Sequence, residues 1–263
     1  MSELLGIDVS HYQKEIRWDL VALSGKKFVI MKCQYEAASH NKDEQFEANS
    51  YGAGKSGLAR GVYIYIARTS MADPEKDANS LLRHLNGRKL EYGIWLDLED
   101  RSLEAKGKAY INKLAYLYAN IFKAAGYYVG IYCNRDWYIR LISDDLKRDF
   151  DFWIARYPRE DKGAYHQSSS LKPSPSIAVA WQYSSKGIVP GIQTYVDLDV
   201  DYDGVIDLIA KDHQKTIDEI AWEVIDNKWG TKWTIPSRKE RLTAAGYDYE
   251  TVRKRVNEIL NEK

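Results

Sequence analysis

Cysteine is scarce in this 263-residue chain: only Cys33 and Cys133 occur, each inside an apolar, strand-like run, FVIMKC and VGIYC. Two such thiols do not make a disulfide framework, so the expectation is buried free cysteines in a fold held by its core. Net charge is missing too, because 38 basic and 38 acidic side chains cancel. That removes the bulk attraction to nucleic acid or anionic membrane that a strongly basic protein has. The N-terminal segment MSELLGIDVS lacks a basic leader and a long apolar stretch, so neither a signal peptide nor a membrane-inserting segment is expected. His11, His40, His84, His166 and His213 have no metal-ligand spacing with cysteine or with one another, which argues against zinc. Phenylalanine occurs only 5 times against 20 Tyr and 8 Trp, so most aromatic rings carry a polar handle. Such rings suit a surface that is part apolar and part wet.

What is present is a succession of short β-branched and aromatic runs. Eight are of strand length: Leu4–Val9, Lys27–Cys33, Gly61–Ile66, Tyr92–Glu99, Tyr128–Asn134, Asp151–Tyr157, Ile177–Tyr183 and Thr194–Val200. Most are too continuously apolar for half-exposed strands. Helical patterns fit about Asp43–Gly57, Pro74–Gly87 and Leu103–Ala125, the last stopping at Gly126. Buried strands alternating with helices predict an α/β fold with a parallel sheet, and eight of them predict closure into an irregular (β/α)8-type barrel. Between Tyr157 and Thr194 the connections are rich in Ser, Pro and Gly, so the last helices should be reduced to loops. An open doubly wound sheet is the alternative, but no glycine-rich phosphate turn follows the first strand.

After Tyr202 the pattern changes. IDEIAWEVIDNKWG and ETVRKRVNEILNEK carry apolar stripes at helical spacing, and RKERLTAAGYDY between them reads as a middle helix ending at Gly246. The expected organisation is a barrel over residues 1–204, a polar linker over 205–216 and a small three-helix module over 217–263.

Strand alternation puts the Asp97 and Glu99 side chains of WLDLED on one face, about 6.5–7 Å apart along the backbone. In a barrel they lie toward the C-terminal mouth, where sites of this architecture are built. Asp8 ends the first strand in GIDVS and Asp197 lies in the last, YVDLDVD; barrel closure makes those strands neighbours. Carboxyls brought together repel, which raises at least one pKa, as a general acid near neutral pH requires. Paired carboxyls flanking a bond are the usual equipment for glycoside hydrolysis. Any one of these acids alone could equally cap a helix. The acidic run DLDVDYDG resembles the first half of a calcium loop at Asp199, Asp201, Asp203 and Gly204, but Ala210 stands where a bidentate Glu is needed, so calcium is not expected. His11 beside Asp8 could touch substrate or simply be bonded within its loop.

GIDVSHYQ, IRWDLVALSGKKFVIMKC, GVYIY, WLDLED, GIYCN, FWIARY, WQYSSKGIVPGI and VDLDV resemble, in order from about Leu4 to Tyr202, the motifs of glycoside hydrolase family 25, the Chalaropsis-type lysozymes. The resemblance implies an irregular β/α barrel short of some helices and cleavage of the β-1,4 bond between N-acetylmuramic acid and N-acetylglucosamine without a cofactor. By motif, Glu99 is the implied catalytic acid/base. Asp97 is implied to orient the substrate N-acetyl group, whose carbonyl attacks with retention, and Asp8 and Asp197 are the remaining acids. Tyr63, Tyr65, Trp181 and Tyr183 are implied to line the groove. Ile64 stands where the family more often has His.

The C-terminal stretch is similar to a short three-helix cell-wall-binding repeat of phage lysozymes. Asp226, Trp229, Gly230 and Arg238 match its pattern, with TKWTIPS as a longer connection between Gly230 and Arg238. These residues could bind sugar, or Trp229 could fill the module's core. The expectation is therefore a muramidase of phage-endolysin type, accumulating in the host bacterial cytoplasm and acting on cell-wall peptidoglycan, with no metal, cofactor or nucleic-acid partner and no indicated oligomer. A non-catalytic peptidoglycan-binding protein on the same scaffold is the alternative.

Overall fold

The computed structural model describes residues 3–67, 73–202, 204–212, 216–245 and 247–261. Asp203, His213 and Gly246, which entered the sequence expectations, lie outside the described residues. The chain divides into two compact units, residues 1–209 and 210–263.

The first unit runs β1 (Leu4–Val9), α1 (Trp18–Leu23), β2 (Phe28–Lys32), α2 (Phe46–Lys55), β3 (Ala59–Tyr65), α3 (Pro74–Leu85), β4 (Ile94–Asp97), α4 (Arg101–Glu104), α5 (Gly107–Ala124), β5 (Val129–Asn134), α6 (Arg135–Arg140), α7 (Asp144–Asp149), β6 (Phe152–Ala155), β7 (Ala180–Gly187) and β8 (Val196–Asp201). Helix α8 (Val205–Asp212) follows β8. The strands form one closed barrel in chain order.

Strand alternation sorts the side chains into two apolar layers. The odd-even phase of β2 sends Val29 and Met31 outward to the helices and Phe28 and Ile30 inward; in β4, Ile94, Leu96 and Leu98 go outward and Trp95 inward. The helices cover the outer layer with matching stripes. In α5 the buried residues are Ile111, Leu114, Ala115, Tyr118, Ala119 and Phe122, the spacing of one helical face. Helix α3 starts at a cap, the Asp73 carboxylate accepting from the Lys76 N–H at 3.0 Å with Pro74 in the first turn. The inner layer is a stack of rings: Phe28 lies parallel to Tyr92 at 4.2 Å, and Trp95 meets Trp153 edge-on at 6.0 Å. This apolar floor fills the barrel beneath its mouth.

Three features depart from the sequence reading. The barrel is mixed: β1 to β7 are parallel neighbours, whereas β8 runs antiparallel to both β7 and β1. The physical reason is the short β7–β8 connection over 188–195, which turns the chain back without the long crossover a parallel pair needs. The helix expected over Leu103–Ala125 breaks into α4 and α5 at Gly107, whose φ of 77° belongs to the left-handed region. The stretch expected as a polar linker opens with α8, because Val205 and Ile209 are buried on the barrel's inner layer and the Asp201 carboxylate accepts from the Gly204 and Val205 N–H groups at 3.0 and 3.1 Å.

The second unit contains α9 (Ile217–Ile225), α10 (Arg238–Ala244) and α11 (Tyr249–Asn261). Capping boxes Thr216/Glu219 and Ser237/Glu240 start α9 and α10. Ile220, Val224, Leu242 and Val252 form its core.

Candidate active site

A cavity of about 220 Å³ opens at the mouth of the barrel, lined by Asp8, Tyr63, Asp97, Glu99, Tyr132, Trp153, Tyr157, Gln182 and Asp197. Four of the lining residues are the acids singled out from the sequence. Asp97 ends β4, and Glu99 two residues on keeps the same inward phase. Asp8 and Asp197 are register partners across the β1–β8 seam. The reversed direction of β8 is what brings Asp197 there. At the start of a parallel β8, residue 197 would lie at the barrel's other end.

The acids differ in depth: Asp8 and Asp97 are buried, Glu99 and Asp197 half-buried. Gln182 holds Asp8 from below, its Nε2 donating to Asp8 Oδ2 at 2.6 Å. Its Oε1 accepts from the Tyr132 hydroxyl at 2.8 Å and also from the Tyr157 hydroxyl. Asp97 Oδ1 is buried and finds no hydrogen-bond donor among the described residues. Burial pushes the Asp97 carboxyl well above the ordinary carboxylate range, and the neighbouring Glu99 adds to it. Burial likewise raises Glu99, reinforced by Asp100 and opposed by Lys32. Asp197 is raised to about 6 by burial, then by repulsion from Glu99 and Asp161. Asp8 is pushed up by burial and then by Asp197 and Asp199. Low-dielectric surroundings and like charge therefore act together, and both favour the protonated form.

The implied groove residues divide. Tyr63 lines the cavity, with the Lys32 ammonium 5.7 Å from its ring centroid. Tyr65 shares that face but sits beside the cavity, its hydroxyl donating to Asp100 Oδ2 at 2.7 Å. Trp181 and Tyr183 do not line the groove: they are buried in the outer layer, with Trp181 Nε1 donating to the Arg156 carbonyl at 2.9 Å. In β7 it is Gln182, between them, that points inward. Ile64 is likewise in the outer layer, so whatever side chain stands there faces helices and not the cavity.

Sequence reasoning missed Gln182, Tyr132, Trp153 and Tyr157. Trp153 and Tyr157 share the inward phase of FWIARY, a signal that alternation could have yielded had the phase of β6 been known. His11 is tied to the neighbouring β2–α2 connection and not within its own loop, Nδ1 to Asp43 Oδ2 at 2.7 Å. Asp199 and Asp201 of the acidic run point into the barrel from β8.

In the second unit, Trp229 and Gly230 lie on the α9–α10 connection and Arg238 opens α10, its Nε donating to the Gly230 carbonyl at 2.7 Å. Trp229 packs against the unit's core, its Nε1 donating to Glu223 Oε2 at 3.0 Å, while Asp226 is exposed. The TKWTIPS segment folds back on Gly230: a Cβ there would meet Thr234 Oγ1 at 2.6 Å.

Residues 218–260 match the CW_7 repeat. Lysozyme M1 of Streptomyces globisporus is 27% identical over 210 residues, covering 74% of this chain and 67% of that protein. Among solved structures, the modular autolysin LytC of Streptococcus pneumoniae superposes with a TM-score of 0.63 at 25% identity, over 76% of this chain and 47% of that one. The CTP1L endolysin shares the fold over 100% of both chains, with a TM-score of 0.64 at 19% identity. Residues 7–192, which carry Asp8, Asp97 and Glu99 of the barrel mouth, match the model of glycosyl hydrolases family 25, and the chain belongs to that family of glycoside hydrolases.

Proposed function

We propose that this glycoside hydrolase is a peptidoglycan hydrolase, an N-acetylmuramidase cutting the β-1,4 bond between N-acetylmuramic acid and N-acetylglucosamine. The observation that carries the reading is the barrel mouth of a family 25 chain, where accessible Glu99 and Asp197 stand over buried Asp8 and Asp97. Glu99 is the acid/base. Its raised pKa keeps a proton available toward neutral pH, and it gives that proton to the leaving glycosidic oxygen. Asp97 orients the 2-acetamido group, because its unpartnered Oδ1 is an acceptor waiting for an N–H. The acetamido carbonyl oxygen then bonds the anomeric carbon, and water, deprotonated by Glu99, completes hydrolysis with retention. Asp8 and Asp197 stabilise the positive charge that develops on the sugar ring. The acid constellation favours this over the non-catalytic scaffold.

The residues at 226, 229, 230 and 238 form the wall-binding surface of the C-terminal unit, a role supported by the CW_7 match. In its full form the reading is a phage-type endolysin, held in the host cytoplasm until release and then acting at the wall. The pairing of barrel with repeat supports it, as does the full-length fold likeness to the CTP1L endolysin.

The test is a digest of purified peptidoglycan with wild type and Glu99→Gln. Wild type should release new N-acetylmuramic reducing ends, and the variant should turn over at least about 100-fold more slowly while sedimenting with walls equally. New N-acetylglucosamine ends, or equal turnover by both proteins, overturns the reading.

A further inference from the structure

Beneath the cavity a fifth carboxyl, Asp199, takes no part in the chemistry above. It is fully buried. On β8 it is the next inward residue after Asp197, and its register partners are Gly6 of β1 and Gln182 of β7. Gly6 offers no side chain, and the Gln182 amide is engaged with Asp8 and the Tyr132 hydroxyl. Asp199 Oδ1 accepts from Trp153 Nε1 at 2.9 Å. Oδ2 receives no donor from any described N–H or hydroxyl. What remains to supply a proton is the Asp8 carboxyl, diagonally above across the β1–β8 seam, whose other oxygen is already held by Gln182.

A hydrogen bond between two carboxyls needs a proton on one of them, since ionised carboxylates only accept. Two unneutralised charges at this depth would be far too costly. The titratable groups whose charge acts on Asp199 from inside the barrel are Asp8, Asp197, Lys26, Tyr92 and Tyr157, with Tyr183 behind the strand in the outer layer; among these only Lys26 is cationic. Burial and like charge both disfavour the doubly ionised pair.

We propose that Asp199 is a positioning residue for the reaction: it and Asp8 hold one proton between them, which fixes the Asp8 carboxylate below the substrate and limits the pair to a single negative charge. Trp153, itself a cavity wall, anchors the far oxygen, so the pair is tied to the surface that the sugar meets. Without the shared proton, Asp8 would be held by Gln182 alone and pushed away by Asp199.

This inference rests on the hydrolase reading, and wild-type turnover in the same assay separates the two: an inactive wild type sinks that reading. An active wild type with unaffected variants sinks only this one. Asp199→Leu should lower kcat on soluble glycan fragments at least tenfold with KM within threefold. Asp199→Asn, whose amide still donates to Asp8, should recover most of that loss. Carbon-13 NMR of aspartate-labelled protein should show Asp8 and Asp199 titrating together in two widely separated steps in wild type, and a single Asp8 step in Asp199→Asn. Undiminished kcat in the leucine variant, no recovery by asparagine, or independent titration of the two carboxyls overturns the proposal. Should the leucine variant fail to fold, the titration of the asparagine variant decides.

Discussion

At the scale of single residues, the barrel mouth exchanges stability for chemistry, and Asp197 makes the exchange measurable. Its folded pKa is raised to about 6, against about 3.9 in an unfolded chain. The folded state therefore holds this proton more tightly. The associated stability is fully present below about pH 4 and is lost as pH rises through about 6. Asp197→Asn cannot ionise, so it should unfold at higher denaturant than wild type at pH 7.5, by about 2–3 kcal/mol, and show no such gain at pH 3.5. A gain of equal size at both pH values would remove the linkage. The acids themselves were legible: alternation alone pairs Asp97 with Glu99, and closure makes the strands of Asp8 and Asp197 neighbours, although it takes the antiparallel run of β8 to set the two carboxyls side by side. Gln182 was not legible, because a glutamine between two aromatics gives no clue to which face of its strand is wet. The family resemblance put Trp181 and Tyr183 on the groove, whereas their rings belong to the outer packing.

At the scale of elements, the strands were readable because burial on both faces leaves a continuous apolar signature, and their direction was not, because direction is a property of connections. The antiparallel β8 follows from the short turn over 188–195, and its β-bulges near Ser184 bend β7 to meet it. That reversal sets the fate of the acidic run: residues 197, 199 and 201 step down the barrel interior from mouth to base. Asp201, at the base opposite Leu4 and Ala180, ends the run as the cap of α8. Asp201→Ala should destabilise the barrel by about 1–2 kcal/mol in urea unfolding, with Asp201→Asn costing less because its amide oxygen still accepts. Glycan turnover at the opposite end should stay within twofold of wild type. Equal stability of the alanine variant and wild type would mean that the cap contributes nothing.

At the scale of the whole molecule, the sequence marks a change of pattern after Tyr202 but misplaces the edge of the barrel, because α8 is amphipathic over too few residues to stand out from a linker. Val205 and Ile209 are fully buried or nearly so, packed in the same inner cluster as Phe28, Tyr92 and Trp95. A chain cut after Gly204 would leave their site open; one cut after Asp212 would keep it filled. Each such side chain contributes about 1.5–3 kcal/mol by burial, so residues 1–212 should be more stable than residues 1–204 by about 3–6 kcal/mol. The longer fragment should also hydrolyse soluble fragments at near the full-length rate while sedimenting less with whole walls. Equal melting of the two fragments would show that α8 does not close the barrel, and undiminished sedimentation of residues 1–212 would take the wall-binding role away from residues 213–263.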